Sequence, residues 1–468
     1  MISEIIGAVN EVLWGRWQLL IYILVLVGFW FTVKLGALQL RHFGHMFSLI
    51  RGSGKPDASG ISSFQALCTS LSARVGTGNL AGVAMAISLG GAGAVFWMWV
   101  IAILGMATGF AESLLGQVYK VRDSKNEFRG GPAYYIQQGL GSRWLAVLFS
   151  VCLFLGYGLF FSAMQANTIS DALNYAYDVP VKTSGWVITI AAGLIVIGGL
   201  RAIARFAEII VPVMGVAYVV TAIGVTLMNI SLVPEMLANI VTSAFGLQEA
   251  GAGALGAAIK NGIQRGLYSN EAGSGSAPHA AASASPQPNH PATQGYIQML
   301  GVFFDTLILC TCTAIIILLA GGTPSGEMEG IRLTQNAMSV HIGDYGVYFV
   351  SVAITLFAFT SVVANYAYAE SNLRVFNMDN KLGHTAYTVA YLAMVWWGSG
   401  ASLEAVWAAA DMALGLMTVV NVTALVLLTP TIVAVSRDYF YKRDNGLDMQ
   451  FRKGDCKIQG QSEKGIWE

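Results

Sequence analysis

Charge is scarce in this chain. Asp, Glu, Lys and Arg make up 11% of 468 residues, against about 25% in soluble domains. Together with 55% hydrophobic residues and 53 glycines, this is the profile of a polytopic membrane protein and excludes one large soluble core. Basic and acidic residues balance at 26 each, so nothing attracts nucleic acid. Cysteine is also sparse. Cys68, Cys152, Cys310 and Cys312 lie in apolar runs and Cys456 stands apart; all read as small hydrophobes, not as a metal site or disulfides. The six histidines form no HExxH, and no nucleophile–base pair or repeated pore loop argues for an intramembrane enzyme or a channel. The N-terminal stretch carries Glu4 and Glu11 and no basic n-region, so no removable signal peptide is expected.

Long apolar runs are what the chain does have. Runs able to span a bilayer, about 20 residues each, fall at 17–36, 61–89, 92–118, 143–172, 184–200, 204–228, 252–284, 292–321, 345–371, 384–400 and 403–435. The reading is an all-α protein of eleven spans. Two of the runs, 61–89 and 252–284, are full of polar residues. The positive-inside bias retains both. With the N-terminus outside, the outer loops hold only Arg16, Lys182 and Arg332, and the remaining loop and tail cations are cytoplasmic. Without the 252–284 span, the basic tail would change sides. The expectation is a multi-pass protein of the cytoplasmic (inner) membrane with a cytoplasmic C-terminus. Lys120–Arg129 and the tail read as topology determinants, and Glu235–Gln248 as a short interfacial helix.

The two polar runs share a pattern. Arg74-Val-Gly-Thr-Gly-Asn79-Leu-Ala81-Gly82 and Arg265-Gly-Leu-Tyr-Ser-Asn270-Glu-Ala272-Gly273 both read R-x4-N-x-A-G. They fall in the second and seventh spans, and an offset of five reverses orientation. The organisation expected is an extra helix (1–36), a five-helix repeat (61–228), its inverted copy (252–435) and a tail (436–468). Discontinuous helices at matching places in inverted repeats mark the substrate site of a secondary transporter. Small residues that merely ease helix packing would not need Arg74, Asn79, Arg265, Asn270 and Glu271 at mid-membrane. The Gly76-x-Gly78 spacing follows no strand, so it is no dinucleotide fingerprint.

At these residues the chain resembles a known family. Gly90-Gly-Ala-Gly-Ala-Val-Phe-Trp-Met-Trp99-Val-Ile-Ala-Ile-Leu-Gly105 is similar to the signature of the alanine or glycine:cation (sodium:alanine) symporters, as are the blocks at 266–273 and 298–305. The resemblance runs from about 15 to 440. It implies a LeuT-type (LeuT-like) fold, sodium as coupling ion and small neutral amino acids, alanine or glycine, as substrate. Proton coupling or exchange on the same fold is the alternative. Two positions depart from the pattern: Ala92, where Pro or another small residue is expected, and Tyr268, where Phe is common.

The expected site has four parts. Amides near Thr77, Gly78 and Asn79 receive the substrate carboxylate at a half-helix N-terminus, with Gly76 and Gly78 allowing close approach. Carbonyls around Gly266–Ser269, beside Asn270, meet the ammonium. Gln165, uncharged at mid-membrane, is either an interhelical bond or the ammonium's side-chain partner, and the resemblance implies a substrate contact. By analogy with the fold, sodium takes the carbonyls of Ser72 and Val75 and the hydroxyls of Thr360 and Ser361, oxygen ligands suited to a hard cation; back-bonding within the helix is the other use of those hydroxyls. Tyr268 closes the side-chain pocket. The remaining charges, Glu112, Asp305 and Glu370 among them, read as structural or gate pairs. Arg74–Glu271 is one candidate pair, and Asp305 or Glu271 a candidate proton relay.

Overall fold

A computed structural model describes residues 2–55, 57, 59–123, 126–247, 252–321 and 330–467. The helices, in chain order, are α1 (Ile2–Leu13), α2 (Leu19–Lys34), α3 (Leu38–Arg41), α4 (Phe43–Arg51), α5 (Ser63–Arg74), α6 (Val83–Gly90) and α7 (Gly93–Val118). A two-residue hairpin, β1 (Val121–Arg122) and β2 (Phe128–Arg129), precedes α8 (Pro132–Gly139), α9 (Arg143–Leu155), α10 (Phe161–Tyr177), α11 (Val181–Val196), α12 (Gly199–Met228) and α13 (Val233–Ala244). The chain continues through α14 (Ala252–Asn270), α15 (Ala277–Ala282), α16 (Pro291–Val302), α17 (Thr311–Leu319), α18 (Ile331–Ile342), α19 (Tyr345–Glu370), α20 (Lys381–Ser399), α21 (Leu403–Leu427) and α22 (Thr429–Asp444). π-helical turns at Gly78–Gly82, Gly156–Phe160 and Phe303–Cys310 link α5 toward α6, α9 to α10 and α16 to α17.

Each expected apolar run coincides with a helix or a broken helix. Among the described residues, six helices are long and apolar enough to cross a membrane alone: Gly93–Val118, Arg143–Tyr177, Gly199–Met228, Pro291–Leu319, Tyr345–Phe376 and Leu403–Leu427. The other runs fall short for physical reasons. Those at 61–89 and 252–284 are interrupted, α2 and α11 are brief, and α20 carries polar residues. The expected interfacial helix is α13, and Gln248 lies outside the described residues.

Polarity is distributed as a bilayer requires. On α12 the exposed side is Ile209, Val213, Val216, Val220, Ile223 and Leu227, while Ser72, Thr77, Asn79, Ser269, Thr360 and Asn365 are buried. A protein whose surroundings are apolar gains nothing by hiding its aliphatic side chains, so its polar groups are sorted inward to meet one another.

The two broken helices run antiparallel. A parallel bridge joins Ile61, just before α5, to Ala284, just after α15, through Ile61 N–H to the Ser283 carbonyl (3.0 Å) and Ser285 N–H to the Ile61 carbonyl (2.9 Å). At the far end a Cβ on Gly90, the last residue of α6, would lie 3.0 Å from the Ala257 carbonyl early in α14. The start of one broken helix therefore meets the end of the other at both extremities. The signature tryptophans hold neighbours in place: Trp97 Nε1 donates to the Ala244 carbonyl (3.0 Å) and Trp99 Nε1 to Thr311 Oγ1 (2.9 Å).

The residues after α22 are docked. Trp467 Nε1 donates to the Gln117 carbonyl (3.2 Å), Gln461 N–H to the Gln138 carbonyl (3.1 Å) and Phe451 N–H to the Asn289 carbonyl (3.0 Å). Arg443 reaches back to His42 Nε2 (3.0 Å), whose Nδ1 faces Tyr296 Oη at 2.6 Å. Burial, then the Arg443 and Arg41 guanidiniums, push the His42 pKa down to about 4, so this imidazole is a neutral acceptor.

Gly398 lets α20 close on α10: a Cβ there would lie 2.4 Å from Ala163 Cα and carbonyl oxygen, whereas nothing stands within 4 Å of one at Gly224. Gly398→Val should therefore cost about 1–3 kcal/mol through overpacking and lower the thermal unfolding midpoint in detergent. Gly224→Ala should leave that midpoint unchanged or raise it slightly.

Candidate functional site

The first break begins where α5 runs out. A capping box of Ser62 and Gln65 starts this helix, and Val75 leaves it with extended backbone (φ −77°, ψ 90°). Inside an apolar medium the freed amides need partners. Gly76 N–H donates to Asn79 Oδ1 (3.0 Å) and Thr77 N–H to Gln165 Oε1 on α10 (3.0 Å). Both glycines sit at close approaches. A Cβ at Gly76 would fall 2.5 Å from Ser361 Oγ and 2.7 Å from Gln165 Oε1, and one at Gly78 would fall 3.1 Å from Ser269 Cα and 3.3 Å from Tyr268 Cδ1.

The second break is not where the repeat alone would put it. α14 continues through Asn270, and the chain unwinds over Glu271–Ser276. Positive φ at Glu271 (56°), Gly273 (92°) and Gly275 (88°) causes the unwinding. Gly266 is therefore helical and packs on α7, where a Cβ would meet Ile101 Cγ2 at 2.5 Å; the structure does not bring it to the break. The Leu267 carbonyl is taken by Glu271 N–H at 2.8 Å. The carbonyls of Tyr268, Ser269 and Asn270 lie in the last turn, which has no further intrahelical donors. Asn270 repeats the role of Asn79: its Oδ1 accepts from Ala272 N–H (3.0 Å).

Two buried carboxylates take further donors at the breaks. Glu112 on α7 accepts from Gly273 N–H and Gly275 N–H (3.2 Å each) and from Asn421 Nδ2 (2.9 Å). Asp305, in the π turn between α16 and α17, accepts from Asn79 Nδ2 (2.7 Å), Ser269 Oγ (2.6 Å) and Thr306 Oγ1 (2.7 Å). Asp305 thus touches a residue of each broken helix. From sequence both acids are expected in structural or gate pairs, with Asp305 also a candidate proton relay, and neither is placed at a break. Their spacing carries no motif, and the signal that could have found them was depth: a lone acid in an apolar run must face donors.

The residues expected to hold a cation meet across α5 and α19. Ser72 Oγ donates to the Thr360 carbonyl (2.8 Å), and Ser361 Oγ lies 3.3 Å from the Val75 carbonyl and 3.2 Å from that of Phe357. Thr360 Oγ1 is turned onto its own helix, 2.8 Å from the Phe357 carbonyl. Ser72, Thr360 and Ser361 are fully buried and Val75 nearly so. The donor set is all uncharged oxygen, which fits a small hard monovalent cation.

Aromatic rings wall the Gly78 side. Tyr268 stacks on Phe161 (5.2 Å, 4°) and leans on Trp407 (5.0 Å), and its hydroxyl donates to Met164 Sδ (2.7 Å). Beyond Trp407 lies an ion pair that the sequence reading missed, Arg265 to Asp411 at 3.2 Å. Gln264 Nε2 donates to the same carboxylate (3.0 Å), and the Arg265 guanidinium sits 4.6 Å from the Trp407 ring centroid. The expected Arg74–Glu271 pair does not form. Arg74 donates to the Gln298 carbonyl (3.3 Å), Glu271 accepts from Ser276 Oγ (2.6 Å), and Arg74 has no ion pair among the described residues. Helix geometry explains the correction: Glu271 is the first residue past α14 and turns along the break.

Several buried polar atoms around the breaks have no hydrogen-bond partner within 3.5 Å among the described residues: Thr77 Oγ1, Asn270 Nδ2, Arg74 Nε and Nη2, and the hydroxyls of Tyr157 and Tyr368. Such atoms are rare in folded proteins and costly unless water, an ion or a ligand reaches them.

The sequence profile of the sodium:alanine symporter family matches residues 1–453. The chain is 46% identical to the amino-acid carrier protein AlsT of Bacillus subtilis (strain 168) over 453 residues, covering 97% of this chain and 95% of AlsT. It is 44% identical to the probable sodium/glutamine symporter GlnT of the same strain over 458 residues, covering 98% and 95%. The crystal structure of MhsT in complex with L-phenylalanine shares its fold, with a TM-score of 0.60 and 14% identity over 82% of this chain and 93% of that one.

Arg265→Leu leaves Asp411 buried without its cation and should cost about 3–5 kcal/mol. Removing both charges in Arg265→Leu/Asp411→Leu should recover most of that loss. Thermal unfolding of the two single variants and the double variant, read as a cycle, measures the coupling.

Proposed function

The chain belongs to the sodium:alanine symporter family, a family of multi-pass membrane transporters, and we propose that it carries a small neutral amino acid, alanine or glycine, into the cell with sodium. The proposed topology is eleven spans in the cytoplasmic membrane, N-terminus outside and C-terminus cytoplasmic. In it an inverted pair of five-helix repeats follows one extra helix. The observation that carries the reading is the meeting of two antiparallel broken helices, with unpaired polar atoms gathered at the breaks.

The substrate carboxylate takes the amides of Thr77 and Gly78, displacing Gln165 Oε1 from Thr77 N–H. The freed Gln165 oxygen and the terminal carbonyls of Tyr268 and Ser269 face the ammonium. Tyr268, Phe161 and Trp407 bound the space left for the side chain. One extra methylene in such a pocket changes selectivity by only about 1–3 kcal/mol, so alanine and glycine are both accepted. Sodium takes the oxygens of Ser72, Val75, Thr360 and Ser361 and joins α5 to α19. Arg265–Asp411 with Trp407 forms a closure on one side, and the Ile61–Ala284 bridge on the other.

The competing reading couples the same substrates to protons or to exchange. Asp305 favours it, being a buried acid in contact with both broken helices.

Labelled alanine uptake into proteoliposomes, with inward sodium or choline gradients at fixed pH, separates the two. Uptake should require sodium; equal uptake in choline rejects the symport reading. Unlabelled glycine should compete, and unlabelled glutamine tests whether the pocket is wider than proposed. Gln165→Ala should raise the apparent alanine constant about tenfold or more, a loss of at least 1.4 kcal/mol; an unchanged constant would remove Gln165 from the site. Thr360→Val should raise the sodium concentration for half-maximal uptake while leaving the alanine/glycine preference intact, and an unaltered sodium curve would mean the ion sits elsewhere.

A further inference from the structure

A cavity of about 560 Å³ lies between α4, α5, α12 and the π turn before α17. Phe64, Leu71, Val75, Gly215, Val219 and Ile308 are among its walls, and its lining is apolar except for Arg51 at one end. Val216 and Val220, which also line it, are 64% and 62% exposed, so the cavity opens sideways onto the lipid-facing surface. Nothing in the transport reading uses it.

Its shape and chemistry select one kind of occupant. Phe64 to Arg74 is eleven residues of α5, about 16 Å at 1.5 Å per residue. That matches one leaflet of a hydrocarbon core about 30 Å thick. An apolar lining gives water none of the polar partners it needs, and the molecules present at that depth on the lipid-facing side are acyl chains. Arg51 closes α4 at the end where the headgroup would lie. Its side chain is exposed and has no hydrogen bond or ion pair among the described residues. A guanidinium at that position pairs with a phosphate oxygen and favours headgroups of net negative charge.

We propose that this groove is a binding site for an anionic phospholipid, with one acyl chain along α5 and its phosphate on Arg51. The deep end of the chain rests against Val75, whose carbonyl faces Ser361 Oγ at 3.3 Å, so the lipid braces the outer side of the half-helix that carries the first break. The site stands on membrane placement alone, and its failure would leave the transport reading untouched.

The test uses the full chain in vesicles doped with phosphatidylglycerol bearing a diazirine on the distal half of one acyl chain. After illumination, labelled peptides are mapped by mass spectrometry. Label should concentrate on the peptides containing Leu71–Val75 and Ile308. It should fall about tenfold in Gly215→Trp, at a position where an added Cβ meets nothing within 4 Å; an unchanged thermal midpoint certifies that variant's fold. The matching phosphatidylcholine probe should label the groove severalfold less, and Arg51→Gln should abolish that difference. Label spread evenly over lipid-facing peptides such as that containing Trp186–Leu194, or undiminished in Gly215→Trp, would overturn the site. Equal labelling by the two lipids in the unaltered protein would overturn its anionic assignment.

Discussion

Backbone freed from a helix inside an apolar medium must find partners, and that requirement organises this molecule. Each broken helix exposes amides that water cannot reach. Some partners are local, Asn79 for Gly76 N–H and Asn270 for Ala272 N–H, and others come from separate helices. Glu112, on the helix that follows the first broken helix, holds the amides of Gly273 and Gly275 in the second. Asp305, in the helix that follows the second, holds Asn79 in the first and also takes Ser269. Each half of the chain thus supplies the acid that completes the other half's break. These contacts give the two broken helices a physical reason to stay packed antiparallel.

That exchange leaves some groups over, and the proposed function rests on the remainder. Thr77 N–H is satisfied only by a carboxamide oxygen on another helix, a partner that a carboxylate can outcompete because charge-assisted hydrogen bonds are the stronger ones. Ser72, Val75, Thr360 and Ser361 pair hydroxyl to carbonyl between α5 and α19, contacts that a cation can replace with shorter, stronger ones. Bonds of this kind are firm enough to hold one arrangement and weak enough to be exchanged for ligand. The bridge at Ile61–Ala284 and the pair at Arg265–Asp411 lie on opposite sides of this centre, and in the proposed function they are its two closures.

The sequence made much of this legible. Scarce charge and long apolar runs imply a membrane protein, and R-x4-N-x-A-G twice, five spans apart, locates the helices that break. Asn79 and Asn270 were readable because an Asn at mid-membrane needs a donor–acceptor partner, and both cap their breaks. The oxygens of α5 and α19 were readable only through resemblance, since adjacent hydroxyls on a helix serve equally well as back-bonds, and Thr360 Oγ1 does just that. Gly266 misled for a related reason: a glycine beside a polar motif can serve a break or a close packing contact, and here it serves packing against Ile101.

Pairing was the part that sequence could not supply. A helical residue sees neighbours three and four positions away, but Arg265 meets Asp411 from another helix, and Arg74 meets a carbonyl instead of Glu271. Local pattern determined which segments are helical, which of them break and which residue types line the breaks, because those depend on hydropathy and on the conformational freedom of glycine. Tertiary packing decided where the second break falls, which acid serves which amide and which charges face each other. Those depend on the distance and direction between side chains on separate helices, which only the assembled fold fixes.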